Sequence, residues 1–90
     1  MKISSGVLKG RKIKTRKGFS TRPLLTRVRK SLFDILGDNL KGEKFLDLYA
    51  GSGAVGIEAL SRGAQEAVFV EIDPQCIRII KENLYRCGML

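Results

Sequence analysis

The sequence predicts an α/β domain whose second half starts a parallel sheet and whose first third is a basic ribbon, loop and helix. Three observations predict it. From Lys44 onward the apolar runs and turn residues read strand, helix, strand, helix, the order of a parallel sheet built with right-handed crossovers. A run of small residues, Ala50-Gly51-Ser52-Gly53, stands directly between the first of those strands and its helix. The chain has 90 residues, below the ~100 to 200 expected per domain. That length excludes two domains and predicts one small domain or a piece of a larger one. With 43% hydrophobic residues and only 2 Pro, disorder throughout is also excluded, although so short a domain leaves much of its surface unburied.

Ile3, Val7, Leu8 and Ile13 are spaced among Ser, Gly and Lys, with Gly6 and Gly10 as turn formers, so residues 2–14 read as a short two-stranded ribbon. Residues 14–23 hold two Thr, two Arg and Gly18 with Phe19 as the only large apolar side chain, a surface loop of the kind that orders on a partner. Past Pro23, which sets an extended entry, Val28, Leu32, Ile35 and Leu36 fall at i, i+4, i+7 and i+8. They predict an amphipathic helix capped by Thr26, running to Leu40 and covering a core with Val28, Leu32 and Ile35. Residues 44–49 form a buried strand centred on Phe45, Leu46 and Leu48. A helix with Val55, Ile57, Ala59 and Leu60 follows the glycine turn until Gly63 stops it. Residues 67–72 form a second strand. Asp73-Pro74 opens the last helix as N-cap and N1, with Ile77, Ile80 and Leu84 on its inner face.

Charge divides the chain in the same place. Of the 17 Lys+Arg, eleven lie in residues 1–30, which contain no Asp or Glu; residues 31–90 carry six basic and nine acidic residues. A +11 segment beside a −3 remainder points to a polyanion, nucleic acid before an anionic membrane surface. Asp34 and Asp38, beside Arg27, Arg29 and Lys30, argue against the membrane. Neither a signal peptide nor a run of ~20 apolar residues is present, so a cytoplasmic protein is expected. Cys76 and Cys87 lie eleven residues apart on one helix, roughly 16 Å at 1.5 Å per residue, too far for a disulfide. With 0 His and no CxxC pair, zinc sites and Ser-His-Asp or Cys-His catalysis have no residues to draw on. Chemistry is left to carboxylates, backbone or a cofactor.

Gly51-Ser52-Gly53-Ala54-Val55-Gly56 spells GxGxxG between strand and helix, and Glu71 stands twenty residues beyond Gly51 at the end of the next strand. That context predicts a nucleotide-type site: the glycines admit a ligand close to the backbone, and the Glu71 carboxylate can accept from ribose hydroxyls. Asp47, four residues before Gly51, would repel a diphosphate and suits a cationic ligand without phosphate, S-adenosylmethionine (AdoMet). Two plainer uses stay open, a glycine turn that binds nothing and an Asp47 that caps nearby amides.

The residues Asp47-Leu48-Tyr49-Ala50-Gly51-Ser52-Gly53-Ala54-Val55-Gly56-Ile57-Glu58-Ala59-Leu60-Ser61-Arg62-Gly63, with Phe69-Val70-Glu71-Ile72-Asp73 and, upstream, Arg22-Pro23 and Arg27 to Leu36, resemble the RsmD-type small-subunit ribosomal RNA guanine-N2 methyltransferases. The resemblance spans nearly the whole chain. It implies a Rossmann-like fold, AdoMet as methyl donor and the exocyclic amine of an rRNA guanine as acceptor. It further implies that Asp47 and Ala50, Gly51, Ser52 and Gly53 hold the methionine end, Glu71 the ribose and Ile72 the adenine. Tyr49, counted with the cofactor-binding residues, and Phe19 and Phe33 have rings that could stack on a base or on the adenine, with core packing the more usual role for Phe33. Arg22, Arg27 and Arg29, with Arg11 and Lys12 of the ribbon, would meet RNA. Residues 1–43 would then be the RNA side and 44–90 the first two β-α units of the AdoMet domain. The sequence departs from the family at Leu24-Leu25-Thr26 and Lys30, where acidic or polar residues are usual. It also lacks the (Asp/Asn)-Pro-Pro-(Tyr/Phe) motif, having only Pro23 and Pro74. The resemblance is therefore to the amino-terminal half of such an enzyme, with no catalytic residue in this chain and no activity expected of it alone. The carboxy-terminal half would come in cis or in trans, or a homodimer would cover the open sheet edges, and the partner would be ribosomal RNA or an assembling small-subunit particle. Two other classes fit parts of the pattern, a fragment of an NAD-dependent oxidoreductase and a non-catalytic RNA-binding module.

Overall fold

The computed structural model describes residues 1–16 and 23–89. The expected loop at 14–23 lies largely outside the described residues, and Phe19 and Arg22 lie there entirely. The elements are α1 (Pro23–Leu36), a 3-10 turn (Gly37–Leu40), β1 (Lys44–Leu48), α2 (Ala54–Ser61), β2 (Glu66–Val70) and α3 (Pro74–Arg86). The two strands pair in parallel with Lys44 beside Glu66 and Leu48 beside Val70. Alternation along them sends Phe45, Asp47, Ala67 and Phe69 inward, while Leu46, Leu48, Val68 and Val70 stay exposed on the other face. Helix α2 returns the chain between the strands, and Gly56 is what lets it lie so close. A Cβ on Gly56 would stand 2.3 Å from Cε1 of Phe69.

Apolar side chains gather in two clusters on either side of α2. Ile3, Leu8 and Ile13 of the amino-terminal arm join Ala54, Ile57 and Cys87, while Phe33 and Leu40 join Ala59 and Ala64. The predicted ribbon shrinks to one antiparallel bridge, Lys2 to Lys12, flanked by the Ile3 N–H to Arg11 carbonyl bond (3.0 Å) and the Ile13 N–H to Met1 carbonyl bond (2.8 Å). A longer ladder does not form because the turn between gives its donors to α2. Val7 N–H donates to the Ser61 carbonyl at 2.9 Å and Leu8 N–H to Ser61 Oγ at 2.9 Å. Gly6, at φ 85°, passes so close to Ser61 that no side chain fits there.

Helix α1 differs from its expected form in three respects. Pro23 is its first residue, so Thr26 lies inside it and is not the cap. It ends at Leu36, where Gly37 turns to φ 52° and a 3-10 turn carries the chain to Leu40. Its inner stripe is Arg29, Phe33 and Leu36, whereas Val28, Leu32 and Ile35 are 58%, 46% and 80% exposed. Both stripes have i, i+4 spacing. The inner one wins because it carries the largest ring, Phe33, whose centroid lies 5.8 Å from that of Phe45, and because Arg29 meets a buried counter-charge at Glu58.

Helix α3 begins as expected: the Asp73 side chain accepts from Gln75 N–H at 2.9 Å with Pro74 at N1. Its buried residues are Cys76, Ile79, Ile80 and Asn83, with Ile77 and Leu84 only half-buried. The inner face is thus rotated from the Ile77, Ile80, Leu84 line. Cys76 and Cys87 are free and buried, and burial pushes both thiols up. Among the described residues no helix is long and apolar enough to cross a membrane.

Candidate functional site

The turn after β1 holds the one non-glycine residue with positive φ among the described residues. Tyr49 sits in the left-handed region at φ 57°, followed by Gly51 at 59° and Gly53 at 83°, which caps α2. A left-handed tyrosine costs about 1 to 2 kcal/mol, a strain that clusters at binding sites. It leaves the ring 92% exposed at the carboxyl edge of the sheet.

Two carboxylates occupy this turn from within. Asp47 lies beneath it, 7% exposed, and accepts from Gly56 N–H at 3.0 Å. Burial pushes its carboxyl above the usual carboxylate range, the nearby Glu71 charge adds to this, and the Gly56 amide opposes both. Glu71 leaves β2 and accepts from Gly51 N–H (2.8 Å), Asp73 N–H (3.0 Å) and Ile72 N–H (3.1 Å). The Asp73 and Gly51 amides hold it below its ordinary range. Gly53 N–H is also engaged, with the Ala50 carbonyl at 2.9 Å. The amides of Gly51, Gly53 and Gly56, which in a phosphate-binding turn would face the ligand, are therefore bonded to the protein itself. Asp47 does cap an amide, the plainer use left open for it, and the same bond fixes its place under the turn.

Beside the turn lies a cleft of about 440 Å³. Ala50, Gly51 and Ser52 form one wall, Val28 and Leu32 of α1 another, and Thr15 and Arg16 close one end. The volume suits a nucleoside-sized ligand. A Cβ on Gly51 would meet nothing within 4 Å, so the turn is open above that residue. Ile72, just past β2, is 92% exposed. The open backbone of Gly51 and the mostly apolar cleft, with Asp47 and Glu71 held at the adjoining turn and not in the cleft lining, fit a ligand without phosphate such as AdoMet. Asp47, Tyr49, Ala50, Gly51, Ser52, Gly53, Glu71 and Ile72 all fall at one edge of the sheet.

The basic residues do not stay together. Lys12 and Arg27 are exposed, as is Arg11, whose Nη1 donates to the Arg86 carbonyl at 3.4 Å. Arg29 is not a surface residue. It is 5% exposed, its Nε lies 3.2 Å from Glu58 Oε1, and its Nη2 donates to the Lys2 carbonyl. Desolvation lowers its pKa, and Glu58 opposes that. A cation with a buried carboxylate partner is taken from RNA, so Arg29 leaves the list of RNA contacts. The +11 segment is also partly neutralised within the chain: Lys14 pairs with Glu82 (3.2 Å), Arg16 with Asp73 (3.0 Å) and Lys30 with Asp34 (2.8 Å).

Sequence reasoning overlooked Glu58 and Asn83, both fully buried. Glu58 receives Ser4 N–H and Oγ, Ser5 N–H and Arg62 Nε besides Arg29. A single acid inside Ala-Val-Gly-Ile-Glu-Ala-Leu was the signal available for it. Asn83 carried no comparable signal.

The fold is shared with methyltransferases. The chain superimposes on a structure of Escherichia coli yhhF, named as a methyltransferase, with TM-score 0.86 at 36% identity, over 98% of this chain and 48% of that one. A hypothetical protein of Thermus thermophilus gives TM-score 0.81 at 46% identity, over 98% and 50%. Residues 1–90 match the family described as Conserved hypothetical protein 95, and the chain belongs to that family, the RsmD family. Among its relatives, the Bacillus subtilis (strain 168) rRNA methyltransferase-type protein YlbH is 46% identical over 93% of this chain and 46% of its own length. Ribosomal RNA small subunit methyltransferase D of Escherichia coli K12 is 38% identical over 93% and 42%. The chain spans a little under half the length of these relatives.

Proposed function

We propose that this chain is the AdoMet-binding, amino-terminal half of an enzyme that methylates the exocyclic N2 of a guanine in small-subunit ribosomal RNA. The observation that carries the reading is the turn filled by its own carboxylates. With the Gly51, Gly53 and Gly56 amides already bonded and Asp47 and Glu71 beneath and beside them, a diphosphate finds repulsion in place of donors. A dinucleotide reading loses its main attraction, and a cationic donor gains one. The family and the names of the relatives support the rRNA substrate.

When bound, AdoMet supplies the methyl group. The chain's own residues position it. Glu71 has about four acceptor sites on its two oxygens and spends three on backbone amides. The remaining site would accept from a ribose hydroxyl while the Gly51 N–H keeps its bond. Ile72 and Tyr49 offer exposed apolar surface to the adenine, and Asp47 keeps α2 and the turn in register beneath the methionine end. Arg11, Lys12 and Arg27 meet RNA phosphates, with Arg22 proposed from the family pattern alone. No side chain of this chain takes the guanine's proton. The remaining half, in cis or in trans, supplies the groups that hold the amine, and the 90 residues alone are inactive.

Calorimetric titration with AdoMet and with NAD tests this. AdoMet binding that weakens at least tenfold in Glu71→Ala, with no NAD binding, is expected. NAD binding, or AdoMet binding indifferent to Glu71→Ala, would overturn the reading.

A further inference from the structure

Asn83 stands in the last turn of α3 with no exposed surface. Its Oδ1 accepts from Lys14 N–H at 2.9 Å, and its Nδ2 donates at 2.9 Å both to the Lys14 carbonyl and to the Ser52 carbonyl. An amide has four hydrogen-bonding positions. Three of them are spent here on the main chain of two segments, the end of the basic arm and the glycine turn. Because the partners are backbone atoms, the bonds record where each segment runs, not which rotamer a side chain takes.

We propose that Asn83 is a positioning residue that ties the arm to the glycine turn, so that RNA held by the arm and AdoMet held by the turn tighten each other's binding. This rests on the ligands proposed above for the two segments. Further ties from the arm to α3 and its cap are on the surface: Lys14 to Glu82 and Arg16 to Asp73, whose four side chains are 32% to 58% exposed, with Arg16 to Gln75 and Arg11 to the Arg86 carbonyl. Exposed pairs are weak and screened by salt, and their cations are the ones that RNA phosphates draw away. The buried amide is the link that survives that exchange. Thr15 and Arg16, next in the chain, border the same cleft as Ala50, Gly51 and Ser52, so a displaced arm changes the wall that the ligand meets. Ordering either segment lowers the cost of ordering the other. Such coupling is reciprocal between the two ligands and is typically 5- to 150-fold.

The experiment measures AdoMet affinity by calorimetry with and without a saturating small-subunit rRNA transcript, in the wild type, Asn83→Ala and Asn83→Asp. The aspartate keeps an acceptor for Lys14 N–H and cannot donate to Ser52 or Lys14. RNA should raise wild-type AdoMet affinity at least fivefold, and the ratio should fall below twofold in both variants. A merely structural asparagine would weaken both affinities and leave the ratio unchanged, which would overturn the proposal, as would a wild-type ratio of one. Glu82→Gln with Asp73→Asn gives a second test on the surface, independent of whether the core variants fold. The ratio should persist there, and its loss would assign the coupling to the exposed pairs. If the wild type binds RNA and no AdoMet, the proposed function falls, and hydrogen exchange at the Gly51 and Gly53 amides reads the link alone. Slowing by RNA in the wild type but not in the variants supports it; equal behaviour refutes it.

Discussion

Replacing Glu58 by Gln tests whether the arm and α1 are fastened to α2 by one buried carboxylate. Glu58 has no exposed surface, and the side chains of Arg29 and Arg62 that flank it are 4% and 12% exposed. Oε1 takes Ser4 N–H (2.9 Å) and faces Arg29 Nε (3.2 Å); Oε2 takes Ser4 Oγ (2.9 Å), Ser5 N–H (3.2 Å) and Arg62 Nε (2.8 Å). Both oxygens meet donors, so whichever position the glutamine NH2 occupies, it points at other donors. The variant also leaves the buried Arg29 without its counter-charge. Breaking a buried pair from one side costs about 3 to 5 kcal/mol, and a domain of this size has roughly 5 to 13 kcal/mol in all. With m about 1 to 2 kcal/mol per molar urea, the denaturation midpoint should fall by about 1.5 to 5 M. Glu58→Leu with Arg29→Met should recover only part of the loss, because Ser4 and Ser5 amides keep no acceptor. A Glu58→Gln midpoint within about 0.3 M of wild type would refute the reasoning and move the fastening to the apolar contacts of Ile3, Leu8 and Ile13.

Asp47→Asn keeps an acceptor for Gly56 N–H and removes a carboxylate whose folded-state pKa is raised. The wild-type charge therefore opposes folding above that pKa and is neutral below the usual carboxylate range. The variant should be more stable at pH 7, lose that advantage as the pH falls into the acid range, and bind AdoMet more weakly; equal melting temperatures at pH 7 would contradict this. Gly56→Ala drives a Cβ into the Phe69 ring, 2.3 Å from Cε1, and should cost about 1 to 3 kcal/mol in thermal or urea unfolding; an unchanged midpoint would show that α2 and β2 are less closely packed. Arg27→Glu should weaken RNA binding and lower the salt slope by about one or more, whereas Arg29→Met should act on stability. Filter binding across a salt series separates the two, and equal salt slopes for both would return Arg29 to the RNA surface.

Element order and the sheet edge that carries the glycine turn were legible from Lys44 onward. Strand, glycine turn and helix follow one another within a few residues, and the rules involved are local: Gly for positive φ, Asp before Pro to open a helix, small residues where helix meets strand. The GxGxxG pattern located the turn, and the spacing to Glu71 brought that carboxylate to it. The arm was legible only in part, since the expected ribbon keeps one bridge, Lys2 to Lys12, and its turn gives the Val7 and Leu8 N–H groups to Ser61 of α2.

The sequence by itself determined the α/β order, the placement of Asp47, Gly51 and Glu71 at one edge, the absence of His-based chemistry and the segregation of charge. Each follows from residue identity and short spacing, which survive whatever the chain packs against. Tertiary structure alone decided which stripe of α1 faces inward, that Arg29 is an internal cation, that Glu58 gathers the arm and two helices, and that Asn83 joins Lys14 to Ser52 across 69 and 31 residues. In α1 two i, i+4 stripes were equally available, and a buried partner on another element chose between them. Long-range pairing of polar groups depends on where separate segments meet in space, and periodicity holds no record of that.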